Sequence, residues 1–282
     1  MPTGAQAGAE ATRDGPPPGP QTQLPRGTSA QKLHALGLVW TLVRTDFKVR
    51  YHGTVGGFIW ALLKPLTMFL VLMGVFSFIF RSDPNYKLNL IIGLFFWDFF
   101  AEGSKVGLTS LAAKGFLLTK TRFPRWILVV TSVSNPLITV LVFVIAIVTT
   151  SAALGRLPGV WAVFLVVLYL LQLCLIVVGF SLATSALFLR YRDLNQVWEV
   201  LLQAGFFVTP VVYPLGILPE RLHFYLYCWP PTSAIQFARS VLVLGVVPSG
   251  LAHALLAAAS LASLVVGWLL FRRFSPRCVE YL

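Results

Sequence analysis

Six long apolar blocks constrain this chain more than any other feature of its sequence. A helix that crosses a bilayer needs ~20 mostly apolar residues, because hydrocarbon offers the backbone no hydrogen-bond partners. We read each block as one span: Phe58–Phe80, Leu88–Ala112, Trp126–Ser151, Val160–Leu189, Val197–Val212 and Leu251–Phe271. They predict an all-α polytopic membrane protein with six transmembrane helices.

Composition and charge agree with that fold class. Hydrophobic residues make up 57% of the 282 residues and charged residues only 11%, whereas soluble proteins carry about 25% charged residues. Six spans with short loops leave no room for a further soluble catalytic domain. The net charge of +12 is compatible with binding to nucleic acid or to a membrane surface. The basic residues cluster at the ends of spans, which favours the membrane.

The positions of the basic residues predict the orientation. With a cytoplasmic N-terminus, fifteen lysines and arginines fall on the cytoplasmic side. Five fall on the other side, namely Arg81, Lys87, Arg156, Arg221 and Arg239. Cytoplasmic loops carry the excess of positive charge in membrane proteins, so we expect both termini in the cytoplasm.

The first 51 residues divide into two predicted segments. Residues 1–30 are rich in Pro, Gly, Gln and Ala, which predicts a disordered tail. Residues 31–51 repeat apolar side chains at three- and four-residue steps: Leu33, Leu36, Trp40, Val43 and Phe47. This pattern favours an amphipathic helix in the inner membrane interface over a packed helix of a cytoplasmic domain. A glycine-containing break then leads into the six-span transmembrane domain, residues 52–282.

Three ionisable residues in the second span share one helical face: Asp98, Glu102 and Lys105. Charges near the bilayer centre cost ~2.5–3.5 kcal/mol each, so we expect them to face protein or water. The spacing predicts a structural ion pair between Glu102 and Lys105. It also allows a polar patch lining a conduit, or a proton relay.

Two cytoplasmic segments are candidates for docking to a partner. Residues 113–125 form a short basic loop around an apolar Phe116-Leu117-Leu118 core. It is either a basic anchor at the lipid surface or a short docking helix. Residues 189–195 are either a second docking element or a charged turn in which Asp193 caps the next helix.

Residues 212–231 are apolar but interrupted by Pro214, Pro219, Pro230 and Pro231. Proline prevents one continuous helix. Short re-entrant helices in the outer leaflet fit this segment better than an extracellular loop with aromatic belt residues.

The sequence carries no motif for chemistry of its own. It has no Gly-Lys dipeptide and therefore no phosphate-binding loop. It has no cluster with metal-ligand spacing and no nucleophile–base pair. We therefore expect no catalytic residues, no metal and no cofactor in this chain.

Two motifs resemble a known family. Arg50–Leu66 (RYHGTVGGFIWALLKPL) resembles the entry to the first span of permeases that export O-antigen, teichoic acid and related glycans. Arg190–Leu194 (RYRDL) with Phe206–Pro214 (FFVTPVVYP) resembles that family's signature around the fifth span. The chain departs from the family at Trp229-Pro230-Pro231, where Asn-Pro is usual.

The resemblance implies a permease subunit of an ATP-driven exporter in the bacterial inner membrane. It implies a homodimer joined to two separate ATPase subunits, which would bind ATP and Mg²⁺. The substrate would be a glycan on a polyprenyl-diphosphate lipid, passing through a conduit between the two permease subunits. The helix over 31–51 would be an inner gate, and the segment 212–231 would form outer gate helices.

Four sets of residues are the candidate sites. Aromatic side chains that could contact sugar rings, or simply pack in the core or against lipid, are Phe95, Phe96, Trp97, Phe99, Phe100, Phe206 and Phe207. The inner gate carries residues that could attract a diphosphate or only anchor the helix: Trp40, Arg44, Lys48 and Arg50. The resemblance implies ATPase coupling by Lys114, Phe116, Leu117, Lys120, Arg190, Arg192 and Asp193. It implies an outer gate at Tyr213, Pro214, Trp229 and Pro230.

Three other functions compete with glycan export. An ATP-driven drug or lipid efflux permease would share the architecture. An ion-coupled carrier would use Asp98 and Glu102 as a relay. A polyprenyl-phosphate transferase would need clustered carboxylates at the membrane face, and the cytoplasmic loops offer only Asp193.

Overall fold

The computed structural model describes residues 28–51, 56–81, 83–116, 124–153 and 158–275. Residues from Val39 onward form one compact unit, and the contacts below lie within it. The described residues are helical and contain no strand. The α-helices are α1 Thr28–Tyr51, α2 Ile59–Phe76, α3 Tyr86–Ala113, α4 Trp126–Ala153, α5 Val160–Arg190, α6 Leu194–Val208, α7 Glu220–Cys228, α8 Pro230–Arg239 and α9 Gly250–Phe274.

The apolar blocks correspond to α2, α3, α4, α5, α6 and α9. Four of these helices, α2, α4, α5 and α9, are long and apolar enough to cross a membrane. The helix α3 carries Asp98, Glu102 and Lys105 within its length, and α6 has only 15 residues. Six spans therefore remain a proposal, whereas an all-helical fold with several potential spans is confirmed in the described part of the chain.

Helices α3 and α5 form the centre of the bundle, and glycines let their neighbours approach closely. Gly103 and Gly107, four residues apart on α3, face Val177 and Ser181 of α5. On the other side of α5, a Cβ added at Gly267 of α9 would lie 2.0 Å from the carbonyl oxygen of Gly179. Small residues at such positions are typical of helix packing in membranes.

The part of α1 from Val39 onward lies along α3 and α4. Leu42 packs beside the cluster that contains Leu111 and Leu128. Phe47 and Tyr51 contact each other and the Phe58 ring, with centroids 4.8–5.5 Å apart. The helix begins at Thr28, three residues before the predicted start.

The chain after α6 is broken as the prolines predict. A 3₁₀ turn at Leu215–Ile217 precedes the short helices α7 and α8. Helix α8 begins with Pro230, which is favourable at the first helical position. Helix α8 packs against α3 and α5, so this segment is tied to the bundle rather than extended away from it.

Candidate functional site

Glu102 and Lys105 of α3 pair with residues of other helices, not with each other. Glu102 accepts a charged hydrogen bond from Arg50 at the end of α1. Lys105 forms its ion pair with Glu199 on α6. The predicted pair between Glu102 and Lys105 is therefore wrong. Residues three apart on a helix are neighbours, but here each side chain reaches an opposite charge on an adjacent helix instead.

A cavity of about 150 Å³ lies where α1, α2, α3 and α4 meet. Its polar lining comes from Arg50, Tyr51, Lys64, Asp98, Glu102 and Thr139. Three phenylalanine rings also line it: Phe95, Phe99 and Phe143. The half-buried Asp98 and Glu102 thus line this cavity, which agrees with the expectation that they face protein or water rather than lipid.

A double-mutant cycle would test the partner assignment on α3. We expect the stability losses of Arg50→Met and Glu102→Gln to be coupled by up to ~1 kcal/mol, since both side chains are partly exposed. We expect the losses of Glu102→Gln and Lys105→Met to add. Thermal midpoints of the purified variants measure both cycles. Coupling between Glu102 and Lys105, with additivity between Arg50 and Glu102, would show that Glu102 pairs with Lys105 after all.

The structure buries five of the seven candidate conduit aromatics. Phe95, Phe96, Trp97, Phe99 and Phe100 are each at most 5% exposed. All five belong to the main cluster of buried side chains. Phe95 stacks on Phe143 with ring centroids 3.8 Å apart. Within the described part of the subunit these five are core residues.

The other two aromatics, Phe206 and Phe207, are more accessible. Phe207 is 73% exposed. Phe206 lines an open, mostly apolar groove of about 570 Å³ between α2, α3 and α6, which Trp60 and Lys64 also line.

The four candidate inner-gate residues of α1 are exposed. Trp40 is 69% exposed, and Arg44, Lys48 and Arg50 are also exposed. Lys48 and Arg50 occupy the last turn, where positive charge stabilises a helix C-terminus. Arg50 is the member of this set that both pairs with an acid and lines the cavity.

The candidate coupling residues of the α3–α4 connection divide into different environments. Lys114 is held inside the protein by Asp46 of α1 and by Thr131 at 3.2 Å. Burial lowers the pKa of its ammonium group, and the bond and charge of Asp46 act in the opposite direction. Phe116 is 66% exposed. Leu117 and Lys120 lie outside the described residues.

The second candidate coupling segment is exposed. Arg190 and Arg192 lie at the surface between α5 and α6, and Arg190 stacks over the Tyr191 ring at 5.2 Å. Asp193 occupies the position before α6, but its side chain makes no capping hydrogen bond. The alternative in which Asp193 serves as a helix cap is thus not met in the structure.

The predicted outer-gate residues surround the break after α6. The Tyr213 hydroxyl donates to the carbonyl oxygen of Phe207 at 2.9 Å. Pro214 precedes the 3₁₀ turn, and Pro230 starts α8. The Trp229 ring contacts Phe100 edge-on at 5.7 Å.

Sequence reasoning missed Arg239, which holds this break in place. Arg239 is 6% exposed, and its guanidinium donates to three carbonyl oxygens, those of Asn89, Pro210 and Val211, at 2.6–2.9 Å. The available sequence signal is a lone arginine in the apolar stretch that follows the prolines. From sequence, Arg239 is predicted only to lie on the non-cytoplasmic side. Cross-helix partners such as Glu199 and Asp46 carried no sequence signal.

The described residues contain no group of three or more His, Cys, Asp or Glu side chains that could hold a metal ion.

Comparison with known proteins gives consistent matches. The model of the family described as ABC-2 type transporter matches residues 37–243. The O-antigen export system permease protein RfbA of Myxococcus xanthus is 33% identical over 194 residues, covering 66% of this chain and 71% of the relative. RfbA of Klebsiella pneumoniae is 28% identical, covering 74% and 81%. The polysialic acid transport protein KpsM of Escherichia coli is 24% identical, covering 87% and 95%.

Proposed function

Because this chain belongs to the ABC-2 type transporter membrane family, we propose that it is the permease subunit of an exporter that moves a lipid-linked glycan out of the cytoplasm. The observation that carries the proposal is the extent of the matches. Relatives named for O-antigen and polysialic acid export align with 66–87% of the chain. The resemblance read from the two motifs is thereby confirmed.

ATP hydrolysis belongs to a partner subunit in this proposal. The chain has no phosphate-binding loop, and members of an ATP-driven transporter need an ATPase to supply the energy. The exposed residues Phe116, Arg190, Arg192 and Asp193 form the surface that we propose for docking this partner. Lys114 belongs to the link with α1 instead, since Asp46 and Thr131 hold it inside the protein.

We further propose a homodimer with the conduit between its subunits. Helix α2 has few buried residues, so most of its apolar surface is available for lipid or a second subunit. Phe206 and Phe207 of α6 are the conduit aromatics with accessible surface. The excess of basic residues on one side supports cytoplasmic termini in the inner membrane.

Reconstitution tests the proposed function directly. The chain and its ATPase are placed in proteoliposomes with lipid-linked glycan extracted from the producing cells. We expect ATP-dependent movement of the glycan head group across the bilayer, detected by its accessibility to a glycosidase. Transport of drugs or ordinary phospholipids without transport of the glycan would contradict the proposal and identify the chain as a drug or lipid efflux permease.

Coupling is expected to fail when Asp193 is replaced by arginine. The carboxylate is exposed and caps no helix, so its loss should leave folding and membrane insertion unchanged. Reversing a charge at a docking surface should lower glycan-stimulated ATP turnover about tenfold, which corresponds to ~1.4 kcal/mol. The measurement is phosphate release with and without glycan.

A matched control is Lys87→Glu, which also reverses the charge of an exposed residue but lies in the first turn of α3, outside the proposed docking surface. Its turnover should equal that of the wild type. Wild-type coupling in Asp193→Arg would assign residues 190–194 to a simple turn.

A further inference from the structure

We propose that the cavity between α1, α2, α3 and α4 binds one sugar unit of the transported glycan, through Arg50, Lys64, Asp98 and Glu102 around a phenylalanine-lined space. The choice of a sugar rests on the glycan export proposed above. The existence of a ligand site rests on the lining of the cavity alone.

The charges of the cavity select a neutral ligand. Arg50 and Lys64 contribute two positive charges, and Asp98 with Glu102 contributes two negative charges. A small anion would meet both carboxylates, and a metal cation would meet both basic groups. Each hydroxyl group of a polyhydroxyl molecule can both donate and accept a hydrogen bond, so such a molecule can bond to carboxylate, ammonium and guanidinium groups together.

The cavity also has unused hydrogen-bonding capacity. Within the described part of the chain, no side chain or backbone donor bonds to the Asp98 carboxylate, and Lys64 forms no ion pair within 4 Å. Pro65 has no N–H to offer the carbonyl of Ala61, another lining residue. Buried polar groups are normally satisfied, so the unbonded carboxylate of the half-buried Asp98 indicates water or a ligand. Lys64 is exposed and reaches solvent.

The size of the cavity favours a ligand larger than water. The cavity of about 150 Å³ is at least ten times the ~15 Å³ that one water needs. Phe95, Phe99 and Phe143 form an apolar wall of the cavity with little exposed area, 1–3% of each residue. An apolar lining with a few placed polar groups is typical of small-molecule sites.

Cysteine protection tests this site in the assembled transporter. Thr139, which lines the cavity, is changed to cysteine in a chain whose Cys174, Cys228 and Cys278 have been replaced by serine. The rate of modification by neutral methyl methanethiosulfonate is measured in native membranes. The added probes are free glucose, galactose, mannose and N-acetylglucosamine, the extracted lipid-linked glycan, and sodium phosphate.

At a concentration about ten times its Kd, at least one sugar or the lipid-linked glycan should slow the modification of the cysteine at position 139 about tenfold. Asp98→Asn should raise the ligand concentration needed for the same protection about tenfold, as expected when a hydrogen bond to a charged group is weakened. Glu220→Gln, an exposed acid outside the cavity, should leave it unchanged. A cysteine at the exposed Val160 should show no protection.

Two results would overturn the proposal. Protection by phosphate as strong as that by sugars would make this an anion site. No protection by any sugar or by the glycan would make it a hydrated cavity. If Thr139→Cys does not fold, Ala61→Cys reports on the same space. The export assay on the same preparations separates the two proposals, because export without protection removes only the sugar site.

Discussion

Replacing Arg239 with methionine is expected to destabilise the protein strongly. Methionine fills much of the space but leaves the carbonyls of Pro210 and Val211 without their donor. Both carbonyls lie outside helices, and a buried carbonyl that loses its partner costs about 1–3 kcal/mol. The expected loss is therefore roughly 2–6 kcal/mol for the two groups. The midpoint of thermal unfolding in detergent, followed by size-exclusion fluorescence, measures it.

Further variants separate the geometry of this contact from its charge. Arg239→Lys keeps the charge but cannot span three carbonyls with one ammonium group, so we expect it to be nearly as unstable. Gly93→Ala would place a Cβ 2.3 Å from the guanidinium and should displace it. The control Arg221→Met removes an exposed arginine and should change little. A wild-type midpoint for Arg239→Met would show that the break after α6 is held by other contacts.

The second large effect is expected from Gly267→Ala. The new Cβ would lie 2.0 Å from the carbonyl oxygen and 2.8 Å from the Cα of Gly179. Because the clashing atoms belong to the backbone, no side-chain rotation relieves them and α9 must move away from α5. Overpacking of this kind costs about 1–3 kcal/mol, and sometimes more. We expect a lower thermal midpoint and a lower yield of folded protein in membranes.

Gly74→Ala is the matched control for this substitution. It makes the same change inside α2, where an added Cβ meets no atom within 4 Å. Alanine is favoured over glycine in a helix by up to ~1 kcal/mol, so this variant should equal or exceed the wild type in stability. Equal behaviour of the two variants would contradict the close approach of α5 and α9.

These two contacts have a bearing on the proposed transport cycle. Arg239 links α8 to the start of α3 and to the break after α6, the region that we propose as the outer gate. Its bonds make that region a fixed part of the bundle in this conformation. Gly267 and Gly179 similarly hold α9 against α5. Helix α2 and the face of α6 bearing Phe207 are among the exposed apolar surfaces that we propose for a second subunit.

The sequence alone determined the helical class and the approximate limits of the helices. Long apolar blocks bounded by charges and prolines predicted α2, α4, α5 and α9 to within a few residues. This works because a backbone in hydrocarbon must satisfy its own hydrogen bonds, and a local apolar run is enough to require that. Two motifs around α2 and α6 likewise identified the family, which the comparisons confirm.

The tertiary structure decided which side chains meet. Periodicity on α3 placed Glu102 and Lys105 on one face, but the partners Arg50 and Glu199 come from α1 and α6, far away in sequence. The same holds for Arg239, which bonds to Asn89 across 150 residues. It also holds for Phe95 and Phe99, whose burial depends on neighbouring helices. A single helix specifies the direction of each side chain, whereas the packing of several helices specifies what lies in that direction.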